Sequence, residues 1–342
     1  MTARTIVKST ARAVIHHSGI AKMLALRYSG SGVIFMLHST IGNSVPYLEG
    51  IRCPVAALER TLCWLSDNGV QFVSLDQALE RLNGPSSGRF CVFTFDDGYA
   101  DNLVHALPVM MRYAAPFTVY VTTGMMTGDV DAWWLGLAEL IRSQDSIELT
   151  DLNCRFDCPD HPSKRRAYAA IETMVHANYS LLGAIRAAVT QRGIDCGALA
   201  QREGLSADQL KELASSPLVT IGAHTDRHLN LALETASDVE QAMTTGRCVL
   251  ENILQRDVVH FAYPFGSAKA CGEREAQIAR AAGFRTAVTA RPGTLFPQHL
   301  DDLYALPREP LGDNETPATL QWKLRGLHRA FQSRFGDPIA RM

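Results

Sequence analysis

The sequence predicts an α/β protein built around a largely parallel sheet, and three observations lead to that reading. Short apolar runs alternate with segments of helical spacing, both before and after the middle of the chain. Three of the runs end in residues that carry chemistry, at the strand end where parallel folds build their sites. A helix-rich stretch over about 126–213 separates the two alternating regions and reads as an insertion.

The elements follow in order. Residues 33–37 form a short apolar run ending at His38, which suits a buried strand. Residues 54–68 carry Val55, Leu58, Leu62 and Leu65 at helical spacing, with Pro54 in the first turn and Gly69 as the stop. A strand over 71–75, a short helix over 75–82 and a turn over 83–88 come next. Residues 90–95 are apolar and β-branched and run as a strand into Asp96-Asp97-Gly98. Residues 101–113 are helical and 117–122 form another buried strand.

Within the insertion, helix formers dominate 134–142, 163–175, 179–191 and 207–213. Alternation resumes with a strand over 219–224 and a long helix. Ser237 to Glu240 has the form of a capping box, and Val239, Met243, Leu250 and Leu254 form the inner stripe. A strand over 258–262, a helix over 273–282 stopped by Gly283, and a strand over 285–289 follow. Residues 316–335 form a last helix rich in Arg and aromatics.

Composition removes several function classes. The 342-residue chain is 46% apolar and 20% charged, as a folded globular protein is and a disordered one is not. Lys and Arg total 33 against 35 for Asp and Glu, so the basic excess needed to bind a nucleic-acid backbone is missing. No apolar run reaches the roughly 18 residues of a membrane span. The first 30 residues spread Arg4, Lys8, Arg12, Lys22 and Arg27 along their length and lack the apolar core of a secretory signal. They read as a helix or arm packed on the domain, or as a weak hold on an anionic membrane surface. Most of the eight cysteines sit singly among apolar residues, as buried free thiols of a reducing compartment do, so a cytoplasmic location is expected. Cys154 and Cys158, with His161 beyond, lack a second pair at zinc-knuckle spacing and read as a plain loop.

Three motifs can do chemistry. Asp96 and Asp97 leave a buried strand together, which is costly unless a cation or strong donors receive them. One of such a pair can bind a metal while the other stays free to take a proton. His224 and His228, at i and i+4, can reach one metal ion from a helical turn. The third, Phe261 to Gly266, contains a Pro-Phe-Gly turn whose backbone N–H groups can face a developing oxyanion. Taken singly, these motifs are also solvated Asp residues, a chance pair and an ordinary turn. Together, one Asp and two His make a three-ligand site with open positions, beside a spare carboxylate able to deprotonate water. That is equipment for hydrolysing an amide or an ester.

The order Thr-Phe-Asp-Asp-Gly, His-Thr-x-x-His and Tyr-Pro-Phe-Gly, over about 31–125 and 214–310, resembles the NodB-type polysaccharide deacetylases of carbohydrate esterase family 4. The resemblance implies a distorted (β/α)7 barrel and one divalent ion, usually zinc; Asp and His donors also accept cobalt, nickel or iron. By motif position it implies Asp96 as general base, Asp97, His224 and His228 as metal ligands, and the Phe265 amide as an oxyanion donor. It divides the chain into an N-terminal arm over 1–30, a deacetylase domain over 31–310 interrupted at 126–213, and a helical tail over 311–342.

Two positions depart from the family pattern. Ala262 stands where many members carry an Arg that orients the base, and Arg308 is expected to supply that guanidinium, unless it is a surface or structural residue. No Leu-x-x-His occurs near the C-terminus, where many members carry the general acid, since His299 lies in a Pro-flanked loop. The branch that includes poly-N-acetylglucosamine deacetylases resembles a circular permutation with that strand placed first. His38 is therefore expected to be the acid, against the plainer reading of a buried histidine bonded to a carbonyl. Leu37 before it stands where that branch suggests an aromatic. Trp133 and Trp134 either anchor the insertion or stack on a sugar. The implied substrate is an N-acetylated amino-sugar glycan that loses acetate. A lipid-linked sugar losing a formyl or acetyl group, and an inactive carbohydrate-binding protein of the same fold, are the alternatives.

Overall fold

The computed structural model describes residues 19–42, 50–85, 88–149 and 153–342. Its strands are β1 Gly32–Leu37, β2 Ser39–Ile41, β3 Arg52–Pro54, β4 Gln71–Phe72, β5 Phe90–Phe95, β6 Phe117–Val121, β7 Ser146–Leu149, β8 Cys154–Asp157, β9 Val219–Ala223, β10 His260–Ala262, β11 Thr286–Val288 and β12 Glu309–Pro310. The main sheet has the order β11-β10-β9-β6-β5-β1-β12, with β4 beside the start of β5. Its pairs are all parallel, from Phe35↔Glu309 at one end to Ala262↔Val288 at the other.

Two contacts curl this sheet into a barrel. Leu306 bridges Val288 of β11 in parallel. Three residues later Glu309 pairs with Phe35 of β1. The segment 306–310 thus ties β11 to β1, giving the distorted α/β barrel that the resemblance implies. Every residue of β5 and of β6 is buried. A strand covered on both faces needs an unbroken apolar run, and that is what 90–95 and 117–121 supply. The interior is held by aromatic pairs: Phe35 lies 5.7 Å from Phe93, and Phe95 lies 5.4 Å from Phe117.

The stretch read as an insertion supplies most of a second apolar cluster, which includes Leu137, Ile141, Ile171, Val175, Ile185 and Val189 and takes in Tyr99 and Ala270 from outside that stretch. Its helices include Trp133–Ser143, His161–Ala177, Leu182–Gln191 and Ala207–Ala214. It is not wholly helical. Residues 154–158 read as a loop, yet β8 pairs antiparallel with β7, setting Ile147 opposite Phe156. Cys154 and Phe156 of β8 pack against the cluster while Arg155 and Asp157 point away, but four residues are too short a run for that alternation to be told from a loop. No metal-binding cluster forms there among the described residues.

Other boundaries shift for local reasons. The long helix spans Ala236–Leu254 and is capped by Thr235, whose side chain accepts from Asp238 N, so Ser237 lies inside the first turn. The helix after the Asp-Asp turn opens as a wide π turn over Asn102–Ala106, before Pro108, which has no N–H to donate. The C-terminal helix divides into Pro317–Leu324 and Leu327–Gln332 around Gly326, whose φ is +63°.

The helix Gly19–Tyr28 packs on this tail, with Ala21 against Trp322 and Leu327. Residues 1–18 of the N-terminal arm, and with them its membrane-surface reading, lie outside the described residues. No helix among the described residues is long and apolar enough to cross a membrane.

Candidate active site

Asp96 and Asp97 leave β5 at the mouth of the barrel. Asp97 has φ +71° and Gly98 φ +80°. A left-handed Asp costs about 1–2 kcal/mol, so the surrounding contacts must hold it. A Cβ on Gly98 would come within 2.9 Å of the Val121 side chain, and glycine is what the turn accepts. Thr122 supplies the holding contacts. Its N–H donates to Asp97 O at 3.2 Å and its hydroxyl donates to His224 O at 3.0 Å. The end of β6 therefore positions both an Asp and a His.

His224 and His228 sit in a non-helical bend, not the helical turn their spacing suggests. Thr225 and His228 have φ values of +64° and +56°, and His228 N–H donates to Thr225 Oγ1 at 3.1 Å. His224 still belongs to the extended exit from β9, so a regular helix has no room to start. The reversal nonetheless brings the two rings to 5.0 Å. Their Nε2 atoms lie 3.6 and 3.5 Å from Asp97 Oδ1. His224 Nδ1 donates to Ala262 O at 2.7 Å, which directs the Nε2 lone pair towards Asp97.

This trio fits a divalent ion. Ligands about 2.0–2.1 Å from a tetrahedral zinc lie roughly 3.4 Å apart, close to both distances. Asp97 Oδ1 is buried and has no hydrogen-bond partner, an arrangement that a cation relieves. Burial, then the neighbouring Asp96, pushes the Asp97 carboxyl well above its usual range. Burial pushes both imidazoles down, His228 furthest, so each keeps a lone pair to donate.

Asp96 has a different partner. Arg308 donates from Nη1 and Nη2 to its two oxygens, each at 2.7 Å, and from Nε to Thr289 O at 2.8 Å. Both residues are buried. Burial would raise the Asp96 carboxyl, but the guanidinium overrides it and holds the value at about 2. Arg308 lies between Leu306 and Glu309, on the segment that closes the barrel, and so reaches its interior. Ala262 contributes only its carbonyl to His224. Across the mouth, His38 Nε2 is 4.0 Å from Asp96 Oδ2, and Asn102 Nδ2 donates to His38 O at 2.8 Å. Burial lowers His38 to about 4, with Asp96 opposing that shift and Arg308 and His224 adding to it. His299 lies elsewhere, buried in a short turn beside Phe296 and Ala340.

These groups open on one cavity of about 370 Å³, lined also by Trp133, Trp134 and Phe265. Phe265 has φ +61°, and a Cβ on Gly266 would collide with the backbone nitrogen of Ala290. The Phe265 ring braces the turn, 4.9 Å from Tyr179 and 5.1 Å from His228. Trp134 donates from Nε1 to Tyr99 OH at 2.7 Å and lies 4.8 Å from His228. The two tryptophans thus anchor the insertion and line the cavity at once. Sequence reading missed Tyr168, Glu172 and His176, which line the same cavity from one helix. Their four-residue spacing was the available signal.

Residues 83–150 and 165–287 match the family model described as polysaccharide deacetylase. The chain belongs to the polysaccharide deacetylase family. It is 35% identical over 91 residues to YxkH of Bacillus subtilis, a protein named for that family; the match spans 26% of this chain and 30% of YxkH, under a third of that relative's length. Among solved structures, the fold is shared with the deacetylase PplD of Streptococcus pyogenes in complex with acetate, at TM-score 0.57 and 17% identity, covering 85% of this chain and 97% of that one. It is shared too with IcaB of Ammonifex degensii, at TM-score 0.54 and 20% identity over 86% and 96% of the two chains. A de-N-acetylase of Aggregatibacter actinomycetemcomitans is similar at TM-score 0.54 and 15% identity, over 85% and 99%.

Proposed function

We propose that this family member is a metal-dependent hydrolase that removes N-acetyl groups from an N-acetylated amino-sugar oligosaccharide or polysaccharide and releases acetate. One observation carries the reading: Asp97, His224 and His228 converge within 4.8 Å of one another, beside a carboxylate that Arg308 holds ionised. Zinc or a similar ion held by those three residues would polarise the acetyl carbonyl and acidify water next to it. Asp96 stays ionised at neutral pH and takes a proton from the attacking water. Arg308 fixes both of its oxygens by hydrogen bonds and leaves their remaining lone pairs for that proton. The Phe265 amide, on a turn braced by Tyr179 and His228, holds the carbonyl oxygen as charge builds on it. His38 protonates the leaving nitrogen. Lowered to about 4, it starts neutral, so the proton it delivers reaches it through the Asp96–His38 pair. Tryptophan and phenylalanine rings at the cavity receive the apolar face of the sugar. A structural neighbour named as a deacetylase and holding acetate agrees with acetate as the product.

The test is acetate release and mass loss from N-acetylglucosamine oligomers by the purified chain supplied with zinc, with and without chelator. The reading expects release that stops on chelation and in Asp96→Asn. Release that survives both would overturn it, and so would acetylated oligomers left intact under conditions where an N-formylated sugar loses formate.

A further inference from the structure

The chain passes from one sheet to another at His38. Up to Leu37 it is β1 of the main sheet, and from Ser39 it is β2 of a small sheet, where Ser39 lies opposite Arg52 of β3. His38 belongs to neither strand, so its place depends on what else holds the backbone around it. The groups that hold it come from the Asp-Asp turn and the residues just after that turn. Asp96 N–H donates to Leu37 O at 2.9 Å. Asn102 Nδ2 donates to His38 O at 2.8 Å and to Asp101 Oδ1 at 3.2 Å, and these two acceptors fix which way the amide faces. Asp101 receives the next two residues: Thr40 N–H donates to Oδ1 at 3.0 Å, and the Ser39 hydroxyl donates to Oδ2. Ser39, Thr40 and Asn102 are all buried. Burial pushes Asp101 up to about 6, against the Ser39 and Thr40 bonds and the nearby Arg52 and His105, so at neutral pH both oxygens accept. Asn102 also opens the π turn, a form found mostly at functional sites. Neither Asp101 nor Asn102 lines the cavity, whereas His38 does.

We infer that Asp101 and Asn102 are positioning residues that set the place of His38 relative to Asp96, so that the proposed acid and base ride on one frame. Loss of the Asn102 bond lets the step between the sheets relax, and His38 Nε2 leaves its place 4.0 Å from Asp96 Oδ2. A misplacement of about 1 Å can cost about 10²-fold in rate. The inference rests on the deacetylase reading, with His38 as the acid, for its effect on turnover, and on the hydrogen bonds alone for its effect on position.

The full chain with zinc is assayed on an N-acetylglucosamine oligomer, whose leaving amine needs a proton, and on a nitrophenyl acetate ester, whose leaving group does not. Asn102→Ala is expected to cut kcat on the oligomer by about 10²-fold and on the ester by much less. In a His38→Gln background the same substitution should change the oligomer rate by less than about twofold, because a residue that acts through another is not additive with it. Zinc content stays at the wild-type level, and a thermal melt reports folding. Should Asn102→Ala fail to fold, Ser39→Ala removes a smaller part of the clamp, and the same split is expected at about tenfold. Equal losses on amide and ester, or a full loss repeated in the His38→Gln background, would overturn the inference and leave the deacetylase reading standing on the wild type's acetate release. A crystal structure of the variant separates the two from the other side. A His38 ring displaced from Asp96, in a protein whose wild type releases no acetate, sinks the deacetylase reading and keeps the clamp; a ring that has not moved sinks the clamp.

Discussion

Arg308 grips both oxygens of Asp96 at 2.7 Å, across 212 residues of chain. The pairing joins the segment that closes the barrel to the turn that carries the proposed base. It also explains how Ala262 can stand where a guanidinium is expected. The planar fork approaches from the closing segment instead, and its Nε–H is held by Thr289 O.

Removing the fork leaves a buried carboxylate without a partner. Arg308→Met is expected to lower the unfolding free energy at neutral pH by about 3–5 kcal/mol. Asp96→Asn in the same chain should restore part of the loss, because the stranded charge is gone. The pH dependence follows from the depressed Asp96 value of about 2, against an ordinary 3.8. The folded state binds fewer protons there than the unfolded one, so this stabilisation is present above 3.8 and is lost as pH falls towards 2. Urea unfolding across that window should show the loss in the wild type and not in Arg308→Met. Equal slopes in the two proteins would count against the pairing.

Asp97 has the opposite sign. Its carboxyl is raised well above the usual range by burial and by Asp96, so in the metal-free protein it disfavours folding increasingly as pH rises. Asp97→Asn is expected to raise the melting temperature of the metal-free protein at neutral pH and to abolish metal binding. Titration calorimetry with zinc in buffers of different ionisation enthalpy should detect proton release by the wild type that grows as pH is lowered, because the ligands must be unprotonated to bind. His224→Ala should lose the metal as well. A melting temperature that falls in Asp97→Asn would contradict this account.

Much of this was legible because buried parallel strands and their ends write strong signals. The runs 90–95 and 117–121 are almost wholly apolar, and the Asp-Asp and His-x-x-x-His motifs sit where β5 and β9 stop. The closing strand β12 has two residues, too few to show any period, so no local pattern reveals that Arg308 reaches into the barrel. The histidine pair misled in detail, since a spacing of four is met by a bend with two left-handed residues as well as by a helix. The cavity face of the 161–177 helix was hidden for another reason. Tyr, Glu and His at four-residue spacing read equally well as a solvated helix face, and only the folded cavity that they line shows what that face looks upon.

The Pro-Phe-Gly turn makes a backbone prediction. Gly266 has φ +57°, and a Cβ there would run into Ala290 N, a backbone atom that cannot swing aside. Gly266→Ala is therefore expected to shift the turn and misplace the Phe265 amide. Loss of one oxyanion donor costs about 10²–10³-fold in kcat. Metal content should remain at the wild-type level, because the three ligands come from other loops. Unchanged turnover with a substitution that folds would remove Phe265 from the mechanism.

His38 gives the most discriminating measurement, because its role depends on the leaving group. An amine leaves an acetamide only if its nitrogen is protonated, whereas a nitrophenolate leaves an acetate ester without help. His38→Gln keeps the side chain polar but removes the transferable proton. It is expected to cut kcat on an N-acetylglucosamine oligomer by about 10²–10⁴-fold while changing hydrolysis of a nitrophenyl acetate ester by much less. Asp96→Asn should slow both, since the attacking water must lose a proton in either reaction. Equal losses on amide and ester in His38→Gln would move His38 from proton donor to a positioning partner of Asp96, 4.0 Å away.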